Sequence, residues 1–120
     1  MKERNITKIE SKNMNRITQI DPATATGKTK QLLDAVQSKL GIVPNLTRVF
    51  GNSPAALEGY LNLSGALAGG VLNAKIREQI ALAVAEINDC GYCRSAHTYI
   101  GGKAGLNERE IADAQGGGDR

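Results

Sequence analysis

Two cysteines and the only histidine of this 120-residue chain stand close together in sequence, as Cys90, Cys93 and His97. On a helix their side chains would share an arc of about 60°, since residues three and four apart lie on one face. Unpaired N–H groups at the first turn of a helix stabilise a thiolate. His97, one turn after Cys93, could take its proton, and a C-x-x-C pair can form and release a disulfide. The pattern favours a redox dithiol beside a base.

Other kinds of site use the same residue types. A structural zinc site needs four ligands, and the chain has no second Cys/His cluster, so we expect no metal and no other cofactor. Covalent haem attachment needs a histidine directly after the second cysteine, where Arg94 stands. A thioredoxin-like domain needs strands around the motif, and the sequence shows no sustained alternation. Zinc remains the weaker alternative, as do inert, buried cysteines beside a core histidine.

The helix predicted over residues 74–87 carries two carboxylates that a helical wheel separates. Glu86 lies on a narrow polar strip and should face solvent. Glu78 lies on an apolar face, where partial desolvation favours a protonated carboxyl group and suits it to proton transfer. The alternative is a solvated Glu78, stabilised by its place in the first helical turn. We expect the main buried stripe of this helix to consist of Ile76, Ile80, Ala83, Val84 and Ile87, with Ala81, Leu82 and Ala85 on the second apolar face.

Helical periodicity begins at Thr29 and continues almost to the C-terminus. Asn73 and Asn107 are predicted N-caps, and Glu110 completes a capping box with Asn107. The predicted helices cover residues 29–40, a short segment after Pro44, Pro54 to Gly69-Gly70, 74–87, about 90–103, and a last segment beginning near 107. The fold class is therefore all-α, with about five to six helices.

Composition and charge narrow the classes of partner. Only four residues are aromatic, which argues for Ala/Leu-rich helix packing and against modules that stack nucleic-acid bases. The net charge of +3 divides into +4 on residues 1–30 and −1 on the remainder. The basic excess thus belongs to the N-terminal segment, and we expect no nucleic-acid partner for the helical domain.

The organisation predicted from these patterns is a single helical domain with polar ends. Residues 1–28 form a polar, partly disordered arm, residues 29–115 the domain, and residues 116–120 a disordered tail. No apolar run reaches the roughly 18 residues of a membrane span. The N-terminus lacks the apolar segment of a signal peptide, so we expect a cytoplasmic protein with no membrane partner.

Residues 30–115, and most densely residues 77–97, resemble the AhpD-like alkylhydroperoxidase and carboxymuconolactone decarboxylase family. The features that carry the resemblance are a glutamate twelve residues before C-x-x-C and a histidine four residues after it, on an Ala/Leu/Val-rich helix pair. The resemblance implies an AhpD-like helical fold and assembly into trimers or hexamers. It also implies a cysteine-based peroxidase or disulfide-reductase activity that uses neither haem nor metal.

The resemblance also implies roles for four residues. Cys93 would attack a hydroperoxide, and Cys90 would resolve the resulting sulfenic acid into a disulfide. His97 and Glu78 would relay protons, with Glu78 steering the Cys90 thiol. The partners implied are a hydroperoxide substrate and an external dithiol or redox protein as reductant.

The sequence departs from the family in two places. Tyr92 stands between the cysteines, where the best-known peroxidases of the family carry a histidine, so proton delivery is expected to differ. The family continues with further helix where this chain has its glycine-rich tail, which suggests C-terminal truncation. Two alternatives stay open: a carboxymuconolactone decarboxylase-like enzyme, which would not need the C-x-x-C, and a non-enzymatic, oligomeric redox-sensing protein.

Overall fold

The computed structural model describes residues 16–117, which contain helices and no β-strand. This confirms the all-α prediction. We number the helices α1 to α6 along the chain. They are α1 (Gly27–Leu40), α2 (Asn45–Phe50), α3 (Pro54–Ala68), α4 (Ala74–Ile87), α5 (Gly91–Lys103) and α6 (Glu108–Ala112), followed by a π-helical turn at Asp113–Gly117.

The chain divides into two compact units, Met1–Leu63 and Ser64–Arg120, and the boundary falls within α3. All four predicted site residues belong to the second unit. Of the two polar ends predicted from the sequence, residues 1–15 of the arm and residues 118–120 of the tail lie outside the described residues.

The first unit is held by a small aliphatic core and by hydrogen bonds to the backbone. Leu33 of α1 and Leu57 of α3 are fully buried. The buried Thr29 hydroxyl donates to the Gly51 carbonyl over 3.0 Å, which satisfies two polar groups that would otherwise be costly to desolvate. α1 ends at Gly41, whose φ of 77° is readily adopted only by glycine. Gly41 is therefore the C-terminal cap of α1.

Part of the N-terminal segment is fixed to α2. The Ile20 amide donates to the Arg48 carbonyl over 3.0 Å, and the Arg48 Nε–H returns a hydrogen bond of 3.1 Å to the Ile20 carbonyl. The Asn52 side chain also donates to the Thr18 carbonyl. This part of the predicted arm is therefore attached by specific backbone contacts.

In the second unit, side-chain caps set the starts of the helices. The Asn73 side chain accepts a hydrogen bond of 2.9 Å from the Ile76 amide and so begins α4. Asn107 and Glu110 form a reciprocal capping box at the start of α6. Both caps agree with the sequence prediction. Each provides a hydrogen-bond acceptor for an N–H group that would otherwise be unpaired at the start of its helix.

The prediction of a buried stripe along Ile76, Ile80, Val84 and Ile87 of α4 was wrong for the single chain. The side that we expected to form the main stripe is largely exposed, with Ile76 at 39%, Ile80 at 48%, Val84 at 49% and Ile87 at 77%. Leu82 and Ala85, on the second apolar face, are the buried pair. α4 is apolar on two sides, and α5 packs against the side that also carries Glu78. The size of the apolar side chains therefore does not determine which side of α4 is buried.

Candidate active site

The cysteine motif begins α5 and follows a tight turn after α4. Asp89 adopts a φ of 50°, a left-handed conformation that aspartate tolerates better than most residues. Cys90 is the N-cap of α5, and its sulfur accepts a hydrogen bond of 3.2 Å from the Cys93 amide. The turn and the cap together place both sulfur atoms at the N-terminal end of the helix, where the helix dipole favours negative charge.

Cys90 and Cys93 form a disulfide, with their Cα atoms 5.2 Å apart. This spacing lies within the usual range for disulfides. Cys90 and Cys93 are both half-buried residues and neither is fully enclosed. The site is therefore described in its oxidised form, with two sulfurs that a reductant could approach.

One turn further along α5, His97 meets a carboxylate from α4. Its Nδ1 atom lies 2.6 Å from Oε2 of Glu78. The Glu78 side chain is only 16% exposed, and that of His97 is 33% exposed. An ionised carboxylate can only accept, so Nδ1 donates to it and a neutral imidazole then presents an unprotonated Nε2. In a pair of ionised carboxylate and neutral imidazole, Nε2 is thus the ring nitrogen able to accept a proton.

The other carboxylate of α4 belongs to a different set of contacts. Glu86 lies 3.6 Å from the Arg94 guanidinium, and Asp89 lies 3.1 Å from the same group. Arg94 follows Cys93 directly but is engaged by these two acidic side chains. Glu78 and Glu86 are therefore separated as the helical wheel predicted, with Glu78 beside His97 and Glu86 on the more exposed side.

The predicted site residues form two adjacent pairs. Cys90 and Cys93 are bonded to each other, and Glu78 and His97 are hydrogen-bonded across α4 and α5. No hydrogen bond joins His97 to either sulfur among the contacts of residues 16–117. Cys93 and His97 nevertheless lie one turn apart on the same face of α5, so the histidine is the nearest base along the helix.

A shallow polar hollow of about 760 Å³ lies beside this arrangement. Neither the cysteines nor the Glu78–His97 pair line it. The hollow is therefore adjacent to the candidate site rather than part of it. Its lining residues are Glu86, Asp89, Arg94, Ser95, Thr98 and Gln115.

Sequence reasoning missed one residue that shapes the site. Gly101 is buried four residues after His97, and a Cβ placed there would stand 3.0 Å from the Leu106 side chain and 3.7 Å from the Cβ of Glu78. In sequence, the Gly101-Gly102 pair indicates only a weakened helix end, because glycine is a poor helix former. The helical wheel could have indicated its importance, because it places Gly101 about 40° from His97, on the face that carries the cysteine motif.

Residues 16–117 contain neither a candidate metal cluster nor a candidate membrane-spanning helix. No three His, Cys, Asp or Glu side chains within residues 16–117 converge in a way that could hold a metal ion. Over the same residues, no helix combines the length and the apolar character that crossing a membrane requires.

Comparison with known proteins agrees with this helical arrangement. The carboxymuconolactone decarboxylase family matches residues 54–117. Among solved structures, the alkylhydroperoxidase AhpD core from Rhodospirillum rubrum is similar, with 27% sequence identity and a TM-score of 0.75. The similarity covers 84% of this chain and 79% of that one. No curated protein matches the sequence.

The family match covers more than half of the chain and contains α4, α5 and both residue pairs of the candidate site. The likeness to the AhpD core extends over most of both chains, so it concerns the whole helical arrangement and not a single motif. The chain therefore belongs to the carboxymuconolactone decarboxylase family and has an AhpD-like fold.

Proposed function

We propose that this protein is a cysteine-based oxidoreductase that reduces hydroperoxides through Cys90 and Cys93, with His97 and Glu78 as proton relay. The observation that carries the proposal is the partly buried Glu78–His97 hydrogen bond of 2.6 Å, one helical turn from a dithiol able to form a disulfide. A decarboxylase-like reaction would not require the C-x-x-C motif. A peroxidase reaction uses both cysteines together with Glu78 and His97.

The reaction starts from the reduced dithiol. The Cys93 thiolate attacks the terminal oxygen of the hydroperoxide, the O–O bond breaks, and the alkoxide leaves as an alcohol after taking one proton. Cys93 becomes a sulfenic acid. The thiolate of Cys90 then attacks the Cys93 sulfur and expels hydroxide, which leaves as water after taking a second proton. An external dithiol restores both thiols by two exchange steps and is itself oxidised to a disulfide.

The proton relay follows from the orientation of the imidazole. Glu78 holds the hydrogen on Nδ1, so Nε2 is the atom that accepts a proton from a thiol and returns it to the leaving oxygen. The start of α5 contributes separately, because its N–H groups stabilise the sulfur anions formed in each step. Tyr92, between the cysteines, is 48% exposed, and the proposed relay assigns it no role.

The experiment that tests the function combines thiol titration with turnover. The reduced protein should lose two thiols per chain on reaction with an organic hydroperoxide, and mass spectrometry should locate a Cys90–Cys93 bridge. Cys93→Ser should abolish turnover. Cys90→Ser should leave a sulfenic acid on Cys93 that a dimedone-type probe captures.

Other outcomes would favour the alternatives. Wild-type turnover by Cys93→Ser would exclude the proposed mechanism. A reversible bridge without turnover, whichever dithiol or redox protein is supplied as reductant, would favour a redox sensor. Activity on a lactone acid that survives alkylation of both cysteines would favour decarboxylase-like chemistry.

We also propose that copies of the chain associate through the apolar face of α4, defined as Ile76, Ile80, Val84 and Ile87. Monomers rarely expose a continuous apolar patch of this kind. The face carries no charge that an acidic or basic partner could complement, which favours a second copy of the same uncharged surface. The trimers or hexamers implied by the family resemblance would cover it.

Sedimentation velocity tests the association. Ile80→Glu should shift the protein towards monomer, because the new charge would be desolvated at the contact. Gln31→Glu, an equal charge change at an exposed position of α1, should leave the sedimentation coefficient unchanged. A monomeric wild-type protein at micromolar concentration would contradict the proposal.

A further inference from the structure

Gly101 lies on the face of α5 that meets α4. It follows His97 by four residues, so the two share one side of the helix, one turn apart. Gly101 is buried, whereas its neighbour Gly102 is exposed and has no atom within 4 Å of the place where a Cβ would stand. Two adjacent glycines in one helix therefore have opposite surroundings.

Two other parts of the chain, Leu106 and Glu78, converge on Gly101. A Cβ built at this position would stand 3.0 Å from Cδ1 and 3.9 Å from Cγ of Leu106, and 3.7 Å from the Cβ of Glu78. The first distance is tighter than ordinary van der Waals contact. The Glu78 and Leu106 side chains thus pack against the backbone of Gly101, where any other residue would have a side chain.

The end of α5 restrains Leu106 from moving away. The Leu106 amide donates to the Gly101 carbonyl over 2.9 Å, and the Gly105 amide donates to the Gly102 carbonyl over 3.1 Å. With Gly105 at a φ of 104°, these bonds form a Schellman motif that folds Leu106 back over the helix. Leu106 is only 5% exposed, so a side chain at position 101 would press against a buried and tethered neighbour.

From this geometry we propose that Gly101 is a positioning residue for the Glu78–His97 pair. Because no side chain stands at position 101, α4 approaches α5 closely enough for the Glu78 carboxylate to reach Nδ1 of His97 one turn earlier. A methyl group here meets the Glu78 Cβ at an ordinary contact distance and presses on Leu106. The branched side chain of valine also displaces the base of Glu78 or separates the helices, and the 2.6 Å contact is then lost. The inference rests on the proposed function only for its effect on turnover, since the effect on the hydrogen bond is independent of the reaction.

The test is a matched series of Gly101→Ala, Gly101→Val, Gly102→Ala and Gly102→Val. His97 is the only histidine, so ring-nitrogen NMR of uniformly ¹⁵N-labelled protein reports its tautomer without ambiguity. We expect wild type and both Gly102 variants to show one tautomer, with the hydrogen on Nδ1. Gly101→Val should show mixed tautomers and lose the hydrogen-bonded Nδ1 proton, and Gly101→Ala should show a smaller change in the same direction.

Turnover gives the second measurement. We expect Gly101→Val to lower kcat about 10- to 100-fold, as a misplacement of about 1 Å can do, with little change in KM. The NMR measurement does not need activity. A wild-type protein without peroxidase turnover would therefore overturn the proposed function, while an altered His97 spectrum in Gly101→Val would still support the positioning role.

A rescue variant separates positioning from general damage. In Gly101→Ala/Leu106→Val the shortened neighbour makes room for the added methyl group, and we expect the wild-type tautomer to return. If Gly101→Val does not fold, Gly101→Ala and this double variant decide the question. A wild-type His97 spectrum in every folded Gly101 variant, or an equal change in the Gly102 variants, would overturn the proposal.

Discussion

The Nδ1 atom of His97 lies 2.6 Å from Oε2 of Glu78, and the two residues come from helices that pack against each other, α5 and α4. This relationship gives the imidazole a defined orientation and, with an ionised Glu78, a defined tautomer. The dithiol begins the same helix that carries the histidine. One packed helix pair therefore carries the sulfur atoms, the imidazole and the carboxylate that contacts the imidazole.

Glu78→Gln should disturb this orientation with almost no change in size. An amide can donate as well as accept, so it no longer fixes the hydrogen on Nδ1 of His97. We expect hydroperoxide turnover to fall about 10- to 100-fold, the range seen when an orienting partner of a functional histidine is removed. Steady-state kinetics with saturating dithiol reductant would measure the change.

The matched control for this substitution is Glu86→Gln on the same helix. Glu86 contacts Arg94 on the more exposed side and has no contact with His97, so its amide variant should retain wild-type turnover. If the two variants lost the same activity, the loss would reflect the charge of α4 and not the orientation of the imidazole.

The N-cap of α4 should contribute measurably to stability. Asn73→Ala removes the acceptor for the Ile76 amide and should lower the free energy of unfolding by about 1 kcal/mol. The midpoint of urea denaturation would report the loss. Asn62→Ala, at an exposed position within α3, serves as the control and should change stability by less than about 0.5 kcal/mol. Equal effects at the two positions would contradict the capping role of Asn73.

In the turn before the dithiol, glycine should be more stabilising than alanine at position 89, and alanine more stabilising than glycine at position 88. Asp89 has a φ of 50°, which favours glycine, and its charge pair with Arg94 contributes little because its side chain is 90% exposed. We expect Asp89→Gly to be about 1 kcal/mol more stable than Asp89→Ala.

Asn88, with a φ of −83°, provides the contrast for that turn. There Asn88→Ala should be about 0.5–1 kcal/mol more stable than Asn88→Gly, because glycine has more conformational freedom to lose. Urea denaturation of the four variants measures both differences. The same order at both positions would show that the left-handed conformation of Asp89 is not a determinant of stability.

The helices and their caps could be predicted from the sequence because their signals are local. Asn73, Asn107 and Glu110 each act on a backbone N–H within three residues, and Gly41 ends α1 through its own φ. The placement of Cys90, Cys93 and His97 together on one face of α5 could also be predicted, since their spacing alone requires it on a helix. The choice of Glu78 over Glu86 needed the family resemblance as well as the helical wheel.

Features that depend on packing between elements could not be predicted in the same way. The role of Gly101 depends on Leu106 folding back from the end of α5 and on Glu78 approaching from α4, and neither approach is encoded in the local pattern. The buried face of α4 is a second example. Ile80 and Leu82 are both strongly apolar, so periodicity identified two candidate faces, and only the packing against α5 distinguished them.

Paired truncations on α4 test which of its faces forms the core. Leu82 is fully buried, so Leu82→Ala should remove about 2–5 kcal/mol from the free energy of unfolding. Ile80 is 48% exposed, and Ile80→Ala should remove about 1 kcal/mol or less from the dilute monomer. Urea denaturation at several protein concentrations would separate folding from association, because a loss at Ile80 that arises from self-association grows with concentration. A larger loss at Ile80 than at Leu82 in dilute protein would reverse the assignment of the two faces.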